Sequence, residues 1–359
     1  QDRFGQWSGF LRQSIGIAPR APSGGGGGGG GGAPGGGGGG GDAPVEEGDG
    51  GDEAPTEVVT VHAGTDRVGT AIAISESEFP DGSSSVVLAD AGAYADALAG
   101  TPLAVAKDAP LLLTDTASVD VRVADEIVRL LDPGGTVYVL GGPAALSEDV
   151  EAEVVDLGFV VERFAGATRY DTAVQIAADG LGSPGTVFLT TGQGFADGLT
   201  AGTAAATVGG AVLLTDGDRL PAATAAYLDR HQVSTRYAVG GPAVAADPTA
   251  APIAGADRYA TATALADAFF DRPSFVGVTS GLVFADALGG GVVAARHGGP
   301  LLLTARDDLP TATAGYLAGN AAGITEVQFY GGPSAISQAV RDAVAGLLAV
   351  SRALALVGP

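Results

Sequence analysis

Three arginines and three aspartates recur in the same sequence context along this chain of 359 residues. Each arginine belongs to a G-x-x-R-x-x-T-A motif, found at 64–71, 166–173 and 255–262. Each aspartate follows about 28 residues later, in a box that reads aromatic residue, Ala, Asp, Ala or Gly, and Leu. A guanidinium binds carboxylate or phosphate through paired hydrogen bonds, and a carboxylate accepts hydrogen bonds from hydroxyl groups. The candidate residues are Arg67, Arg169, Arg258, Asp96, Asp197 and Asp286.

Two further landmarks follow each aspartate. A threonine stands 18 residues later and closes an apolar run, and a Gly-Gly-Pro sequence comes next. The threonines are Thr114, Thr215 and Thr304. Four landmarks in the same order, three times over, indicate three copies of one structural unit. Repeat 2 lacks residues that resemble the last helix of repeat 1, so we expect that helix to be missing there.

The recurring arginines and aspartates allow two interpretations. In one, a partly buried Arg–carboxylate pair or a helix cap braces each repeat for folding reasons. In the other, these residues line a polar pocket that binds an acidic or hydroxyl-rich ligand. A divalent cation bound by the aspartates is a further alternative, although the sequence shows no cluster of metal-ligating residues around them. We predict the three arginines, three aspartates and three threonines as ligand-binding residues, and we expect no metal ion and no cofactor.

Short apolar strands alternate with helical segments in every copy. The run 111–113, for example, is too short and too uniformly apolar for anything but a buried strand. This alternation predicts an α/β fold with parallel sheets covered on both faces. Ligands bind such sheets at the carboxyl ends of the strands, where the landmarks fall. Three like units can close into a ring, so we predict an internal pseudo-trimer with repeats at 57–158, 159–250 and 251–359.

The first 56 residues differ from the rest in composition. Residues 24–41 are almost pure glycine, and 42–57 add seven acidic residues and no basic one. Such a segment buries too little apolar surface to offset its backbone entropy, which predicts a disordered linker over 1–56. The sequence has no Met and no visible signal peptide. We therefore expect a processed product or a fragment, with room for an effector domain upstream.

Composition argues against several function classes. The net charge is −23 and the chain has one lysine, which argues against nucleic-acid binding. The absence of Cys excludes a thiolate metal site or a Cys nucleophile. The three histidines occupy non-equivalent positions without a triad-like pattern. The uncharged stretch 198–215 has charged counterparts in the other copies, which favours a helix, a turn and a strand over a transmembrane segment.

A dinucleotide-binding enzyme is an alternative function. Gly192, Gly194 and Gly198 follow an apolar strand of repeat 2 in a pattern that could cradle a phosphate. Repeats 1 and 3 keep only one of these glycines. A nucleotide site does not require the aspartate that all three copies share, so this alternative explains less of the pattern.

At its four landmarks the sequence resembles the cell wall binding repeat 2 family, found as tandem triplets in surface proteins of Gram-positive bacteria. The resemblance covers residue 58 to the C-terminus. It implies three Rossmann-like units in a pseudo-threefold arrangement that anchor a protein non-covalently to an anionic polymer of the cell wall, outside the cell. The family's apolar strand motif corresponds to 110–113, 211–214 and 300–303, and repeat 2 departs from it by having Ala211 in place of Pro.

Two classes of function remain open at this point. The first is a non-catalytic wall-polymer anchor, which the resemblance implies. The second is an enzyme, either the nucleotide-binding domain already considered or the remnant of a wall hydrolase, such as an amidase or protease, whose catalytic part is absent.

Overall fold

The computed structural model describes the backbone of residues 58–357 and the side chains of residues 59–351. The predicted disordered linker at 1–56 lies outside the described residues. The twelve strands of the described chain are β1 (Val58–His62), β2 (Ser85–Asp90), β3 (Leu111–Thr114), β4 (Thr136–Leu140), β5 (Val160–Phe164), β6 (Thr186–Thr191), β7 (Ala211–Thr215), β8 (Thr235–Val239), β9 (Ala251–Ile253), β10 (Phe275–Ser280), β11 (Leu301–Thr304) and β12 (Glu326–Tyr330).

Twelve α-helices alternate with these strands in the described residues, four in each repeat. They are α1 (Arg67–Glu78), α2 (Gly100–Ala106), α3 (Val121–Leu130), α4 (Glu148–Asp156), α5 (Arg169–Gln175), α6 (Ala196–Thr207), α7 (Ala222–Arg230), α8 (Gly241–Ala246), α9 (Arg258–Phe269), α10 (Ala285–Arg296), α11 (Thr311–Asn320) and α12 (Gln338–Val357). As expected, repeat 2 lacks a helix at the positions equivalent to α4, which begins seven residues after Gly141. The six-residue helix α8 begins directly after the equivalent Gly240 and stands in place of the turn that follows Gly141 in repeat 1.

The strands form three parallel sheets of four, which confirms the α/β fold with three parallel-sheet repeats. Their orders are β3-β2-β4-β5, β7-β6-β8-β9 and β11-β10-β12-β1. In each sheet the chain moves to one side of the first strand and then crosses to the other. The carboxyl ends of β2 and β4, and of their counterparts, therefore border a topological switch point, where ligands bind in open α/β sheets.

Each sheet takes its fourth strand from the chain just before the next arginine motif. β5 pairs with β4 and β9 pairs with β8, although both strands lie beyond the predicted repeat limits at 158 and 250. β1 pairs with β12 along its whole length, from Val58 opposite Glu326 to His62 opposite Tyr330. The first described strand therefore completes the last sheet and closes the ring. The repeat limits themselves stay predictions, since the sheets do not follow them.

The arginine motif forms the start of α1, α5 and α9. Asp66, Thr168 and Asp257 cap these helices by accepting backbone N–H bonds. The motif threonine accepts a hydrogen bond from the motif glycine at 3.1 Å in every copy. A Cβ added to Gly166 would lie 2.2 Å from Asp171 Cβ. The motif thus fixes how the chain enters the helix, and with it the position of the arginine.

The central helices α2, α6 and α10 pack against one another in pairs, which gives the pseudo-threefold arrangement. Equivalent positions on these helices carry small residues, Thr101, Gly202 and Gly291. A Cβ on Gly202 would lie 3.1 Å from Thr101 Cβ, and Thr203 Oγ1 lies 3.4 Å from the Gly291 carbonyl. Small side chains at the centre allow the three repeats to share one continuous apolar core.

The junction that closes the ring differs from the other two. At the first junction Phe164 of β5 stacks on Tyr138, and at the second Phe188, Tyr237 and Phe269 cluster. The closing junction instead holds a polar network of His62, Glu78, His297, Gln328 and Tyr330. His62 Nε2 lies 3.0 Å from Gln328 Oε1, His297 Nε2 lies 2.9 Å from Glu78 Oε2, and the Tyr330 hydroxyl donates to Gln328 at 3.0 Å.

We expect the thermal stability to fall between pH 6 and pH 8 by about 2 to 4 °C. The Glu78 hydrogen bond raises the pKa of His297 above its ordinary value of 6.5. The stability that this hydrogen bond supplies is fully present below pH 6.5 and is lost as the pH rises through the raised pKa of His297. Burial, the largest single influence, raises the pKa of Glu78, but the hydrogen bonds from His297 and Gln328 and the charge of His297 together lower it below 4.5, so the carboxylate stays charged throughout this range.

Glu78→Gln is the matched control for this pH effect, and calorimetry at the two pH values is the measurement. Glu326 and Arg296, whose charges also act on His297, are present in both proteins. The variant should lose most of the pH dependence. An unchanged pH dependence in Glu78→Gln would show that the closing junction is not its source.

Candidate functional site

The three repeated arginines begin α1, α5 and α9 and reach back to the end of the first strand of their own sheet. Arg67 Nη1 donates to the Ala91 carbonyl at 2.6 Å, and Arg169 Nη1 donates to the Gly192 carbonyl at 2.7 Å. Arg258 Nη1 makes the equivalent bond to the Gly281 carbonyl. Arg67 and Arg258 are exposed and Arg169 is half-buried. Each guanidinium therefore keeps further N–H donors for another partner.

Each guanidinium also lies over an aromatic ring of the neighbouring repeat. Arg169 lies 6.0 Å from the Tyr94 ring centre, Arg258 lies 5.9 Å from Phe195, and Arg67 lies 5.7 Å from Phe284. The contacts run from repeat 2 to 1, from 3 to 2 and from 1 to 3. This cyclic cation–π arrangement joins all three repeats at the carboxyl edges of their sheets.

The three aromatic rings meet one another and form an aromatic cluster of Tyr94, Phe195 and Phe284. Their centres lie 5.6, 5.6 and 6.1 Å apart, in edge-on or tilted arrangements. All three rings are half-buried, and they stand beside the N-terminal ends of the central helices. The sequence prediction of site residues missed them. The signal was present, because an aromatic residue stands two positions before each predicted aspartate.

The three predicted aspartates lie against the Gly-Gly-Pro turns of their own repeats. A Cβ on Gly240 would lie 2.1 Å from Asp197 Oδ2, and the corresponding distances are 2.8 Å for Gly141 and Asp96 and 2.7 Å for Gly331 and Asp286. These glycines have positive φ angles of 83°, 97° and 116°. Only glycine adopts this turn without strain while leaving room for the carboxylate.

The aspartates and arginines do not form direct ion pairs in the part of the chain that the structure describes: none of their carboxylates lies within 4.0 Å of a repeated guanidinium. Burial raises the pKa of Asp197 to about 6, although Arg258 acts in the opposite direction. Burial raises the pKa of Asp286 as well, against the Thr70 hydroxyl and Arg67. The ion-pair form of the proposed brace is therefore not what holds these residues.

The three predicted threonines end β3, β7 and β11, and all are 0 % exposed. Their hydroxyls donate to carbonyls of the following turn. The acceptors are the carbonyls of Ser118 at 3.2 Å, Gly217 at 2.9 Å and Ala305 at 3.1 Å. These side chains lie beneath the surface and fix the shape of the turn, and direct contact with a ligand stays a prediction for them.

Two of the three glycines that resemble a dinucleotide signature, Gly192 and Gly198, have packing roles. A Cβ on Gly192 would lie 3.0 Å from a ring carbon of Tyr170, and one on Gly198 would lie 3.0 Å from Leu98 of repeat 1. Where repeat 1 carries Ala91 in place of Gly192, it also carries the smaller Val68 in place of Tyr170. The glycine pattern of repeat 2 thus follows its neighbouring side chains and does not require a phosphate.

Across residues 58–357, no group of three or more His, Asp or Glu side chains is placed to hold a metal ion. Within that range, no helix combines the length and the hydropathy needed to cross a bilayer.

Three copies of one α/β unit close into a ring, and the same cation–π contact joins the repeats at each junction. This arrangement defines a binding module built from repeats. Residues 62–151, 163–249 and 253–341 each match the model of the cell wall binding domain 2 (CWB2) family. The chain belongs to this family and is a cell-wall-binding module, as the resemblance implied. Its partner class is therefore the polymers of the cell wall.

Two curated proteins of Bacillus subtilis (strain 168) are related to it. The N-acetylmuramoyl-L-alanine amidase LytC is 28% identical over 254 residues, which cover 69% of this chain and 50% of the amidase. The amidase enhancer is 27% identical over 292 residues, which cover 79% of this chain and 39% of the enhancer. The chain thus spans half or less of the length of these relatives.

Two solved structures share the fold. Cwp6 from Clostridium difficile superimposes with a TM-score of 0.72 at 23% identity, covering 80% of this chain and 48% of that one. Cwp8 from Clostridium difficile superimposes with a TM-score of 0.71 at 24% identity, covering 81% of this chain and 52% of that one. This likeness confirms the fold class.

Proposed function

We propose that the module holds a protein at the cell surface, outside the cell, by non-catalytic and non-covalent binding to an anionic polysaccharide of the wall. This proposal rests on the contacts that the guanidiniums of Arg67, Arg169 and Arg258 make. Each guanidinium donates to one backbone carbonyl, lies near an aromatic ring and has no carboxylate within 4.0 Å among the described residues.

Most of the other described arginines differ in this respect. Eight of them lie within 4.0 Å of a carboxylate, namely Arg122, Arg129, Arg163, Arg219, Arg236, Arg272, Arg296 and Arg306. In a chain of net charge −23, cations without a carboxylate partner at equivalent places are the natural contacts for an acidic ligand. Long-range attraction is absent, so recognition depends on local hydrogen bonds.

The partial match to an amidase and to an amidase enhancer supports a second element of the proposal. We take the module to be the attachment part of a longer protein, joined to an effector domain upstream through the glycine-rich segment.

The predicted aspartates and threonines support the arginines in this proposal. The aspartates do so against the glycine turns, and the threonines do so beneath the surface.

The triple variant Arg67→Ala, Arg169→Ala, Arg258→Ala tests the binding function. We expect its affinity for purified wall sacculi to fall by about 100-fold or more, because each charge-assisted hydrogen bond contributes about 1.5 kcal/mol or more. The parent should bind sacculi that retain their secondary polymers and should not bind sacculi stripped of them. Co-sedimentation over a range of protein concentrations measures both effects.

The matched control replaces Arg219, Arg272 and Arg306 with Ala, which removes the same charge from exposed positions already paired with acids. This variant should bind nearly as the parent does. Calorimetry on both variants separates lost binding from lost folding. If the first variant is folded and still binds as the parent does, the arginines are braces and the proposed site is wrong.

The affinity should also depend on pH through Asp197. Its pKa is about 6 because it is buried, so the carboxylate beside Arg258 is charged at pH 8 and mostly neutral at pH 5.5. A neutral side chain no longer repels an acidic ligand, so we expect binding to strengthen about 2- to 5-fold on acidification.

Asp197→Asn gives the control for this pH effect, measured by the same co-sedimentation at both pH values. The variant should bind at pH 8 as the parent does at pH 5.5. If Asp197 instead accepts a hydrogen bond from the ligand, the variant will bind more weakly than the parent at both pH values.

A further inference from the structure

The three repeated arginines surround a single feature, the aromatic cluster. Every guanidinium lies within 6.0 Å of one of its rings, and every ring lies within 6.1 Å of the other two. The three contact sites therefore merge on one surface at the pseudo-threefold axis. We infer that they form one composite site, which holds a single segment of acidic polysaccharide on the aromatic cluster, so that one segment binds per module. This inference rests on the proposed function.

The chemistry of the surface fits a sugar ring flanked by acid groups. Aromatic rings present flat apolar surface, which matches the C–H face of a pyranose, and the guanidiniums around them offer N–H donors directed at acids. The N-terminal ends of α6 and α10 lie beside the cluster and add a positive potential. The ligand class is therefore an acidic oligosaccharide whose charged groups flank an uncharged face.

The rim of the composite site breaks the threefold symmetry. The loop that leads to Phe284 carries Leu282, which is 56 % exposed, and Val283, while the loop of repeat 2 carries the polar Gln193 at the position of Leu282. The cluster itself has one hydroxyl, on Tyr94. One side of the rim is thus apolar and another polar, so the three possible rotations of a bound segment are not equivalent. A single preferred orientation follows.

Calorimetric titration distinguishes one composite site from three separate sites. The probe is a size-fractionated oligosaccharide cut from the secondary polymer of the same sacculi. The composite site predicts one oligosaccharide per chain for the parent and for each single Arg→Ala variant, with Kd raised about 10-fold in each variant. Three separate sites predict three oligosaccharides per parent chain, and two per single variant with unchanged Kd.

A rim substitution tests the same inference without touching the arginines. Leu282→Glu adds a negative charge at the composite site on an exposed side chain, so folding should be unaffected and Kd should rise about 5- to 10-fold. Val208→Glu is the matched control, because Val208 is 45 % exposed at the opposite end of a central helix. It should leave Kd unchanged.

The outcomes separate this inference from the function it rests on. One bound oligosaccharide and weaker binding by Leu282→Glu support the composite site. Three bound oligosaccharides, or parental binding by Leu282→Glu, overturn it while leaving wall-polymer binding intact. No binding of the probe by the parent, together with no binding of sacculi, overturns both.

Discussion

Deleting residues 1–62 will prevent the module from folding stably, whereas deleting residues 1–56 will not. The longer deletion removes β1, which supplies the fourth strand of the last sheet and pairs with β12 from Val58 to His62. It also removes His62 from the closing junction, which leaves the buried Gln328 without one of its partners. A lost strand and a lost buried hydrogen bond together account for a fall in Tm on the order of 10 °C or more.

Calorimetry and size-exclusion chromatography check this prediction. The deletion of 1–62 should give a broad transition and association, because β12 becomes an exposed edge with unpaired backbone groups. The deletion of 1–56 keeps every described strand, so its Tm should match that of the full chain. If the protein without β1 is monomeric and melts as the parent does, ring closure by β1 contributes little.

The architecture of one repeat could be predicted from the sequence. Runs such as 111–113 are apolar throughout and short, which identifies buried strands, and these strands alternate with helical segments in every copy. The triplication predicted three like units. These are local or periodic features, and each repeat provided an independent copy of the same signal.

The partners of the repeated arginines could not be predicted in the same way. Each guanidinium lies over an aromatic ring of the neighbouring repeat, and Arg67 of repeat 1 contacts Phe284 of repeat 3, which is far away in the sequence. Spacing within one repeat contains no information on such contacts. The pairing of β1 with β12 is equally non-local. The sequence pattern therefore predicted limits for each repeat but not which sheet the strands near those limits would join.

The threonines illustrate a different limit. Thr114 ends an apolar strand at the edge where ligands bind such sheets, and its position favoured a ligand-binding role. Whether a hydroxyl at a strand end points to solvent or into the turn depends on the turn's backbone, which the sequence pattern does not specify. In the structure it donates to the Ser118 carbonyl and is fully buried.

In the proposed function, the arginines combine the two roles that the sequence left open. The contact of Arg169 with the Tyr94 ring holds repeat 2 against repeat 1, and its hydrogen bond to the Gly192 carbonyl fixes the guanidinium within repeat 2, so this side chain is a brace. A guanidinium has five N–H donors, and one hydrogen bond to Gly192 leaves others unused. Under the proposed function, the brace orients these donors in advance and lowers the entropic cost of ligand binding. The proposal therefore couples folding and binding at the same side chain.

A substitution in the arginine motif tests whether folding and binding are coupled in this way. Gly166→Ala should lower the free energy of unfolding by about 3 kcal/mol or more, because the new Cβ would meet Asp171 Cβ at 2.2 Å and backbone atoms at 2.5 Å. None of these atoms can move without shifting the start of α5. The displaced helix would carry Arg169 away from Tyr94, so sacculus binding should fall as well.

Gly315→Ala is the matched control for this substitution, with unfolding in urea as the measurement. Gly315 lies in the exposed interior of α11, and a Cβ there meets nothing within 4 Å. Alanine should therefore stabilise the helix by about 0.5 to 1 kcal/mol. Equal effects of the two substitutions would contradict the role assigned to the motif glycine. A destabilised Gly166→Ala protein that retains full binding would show instead that the position of Arg169 does not control the site.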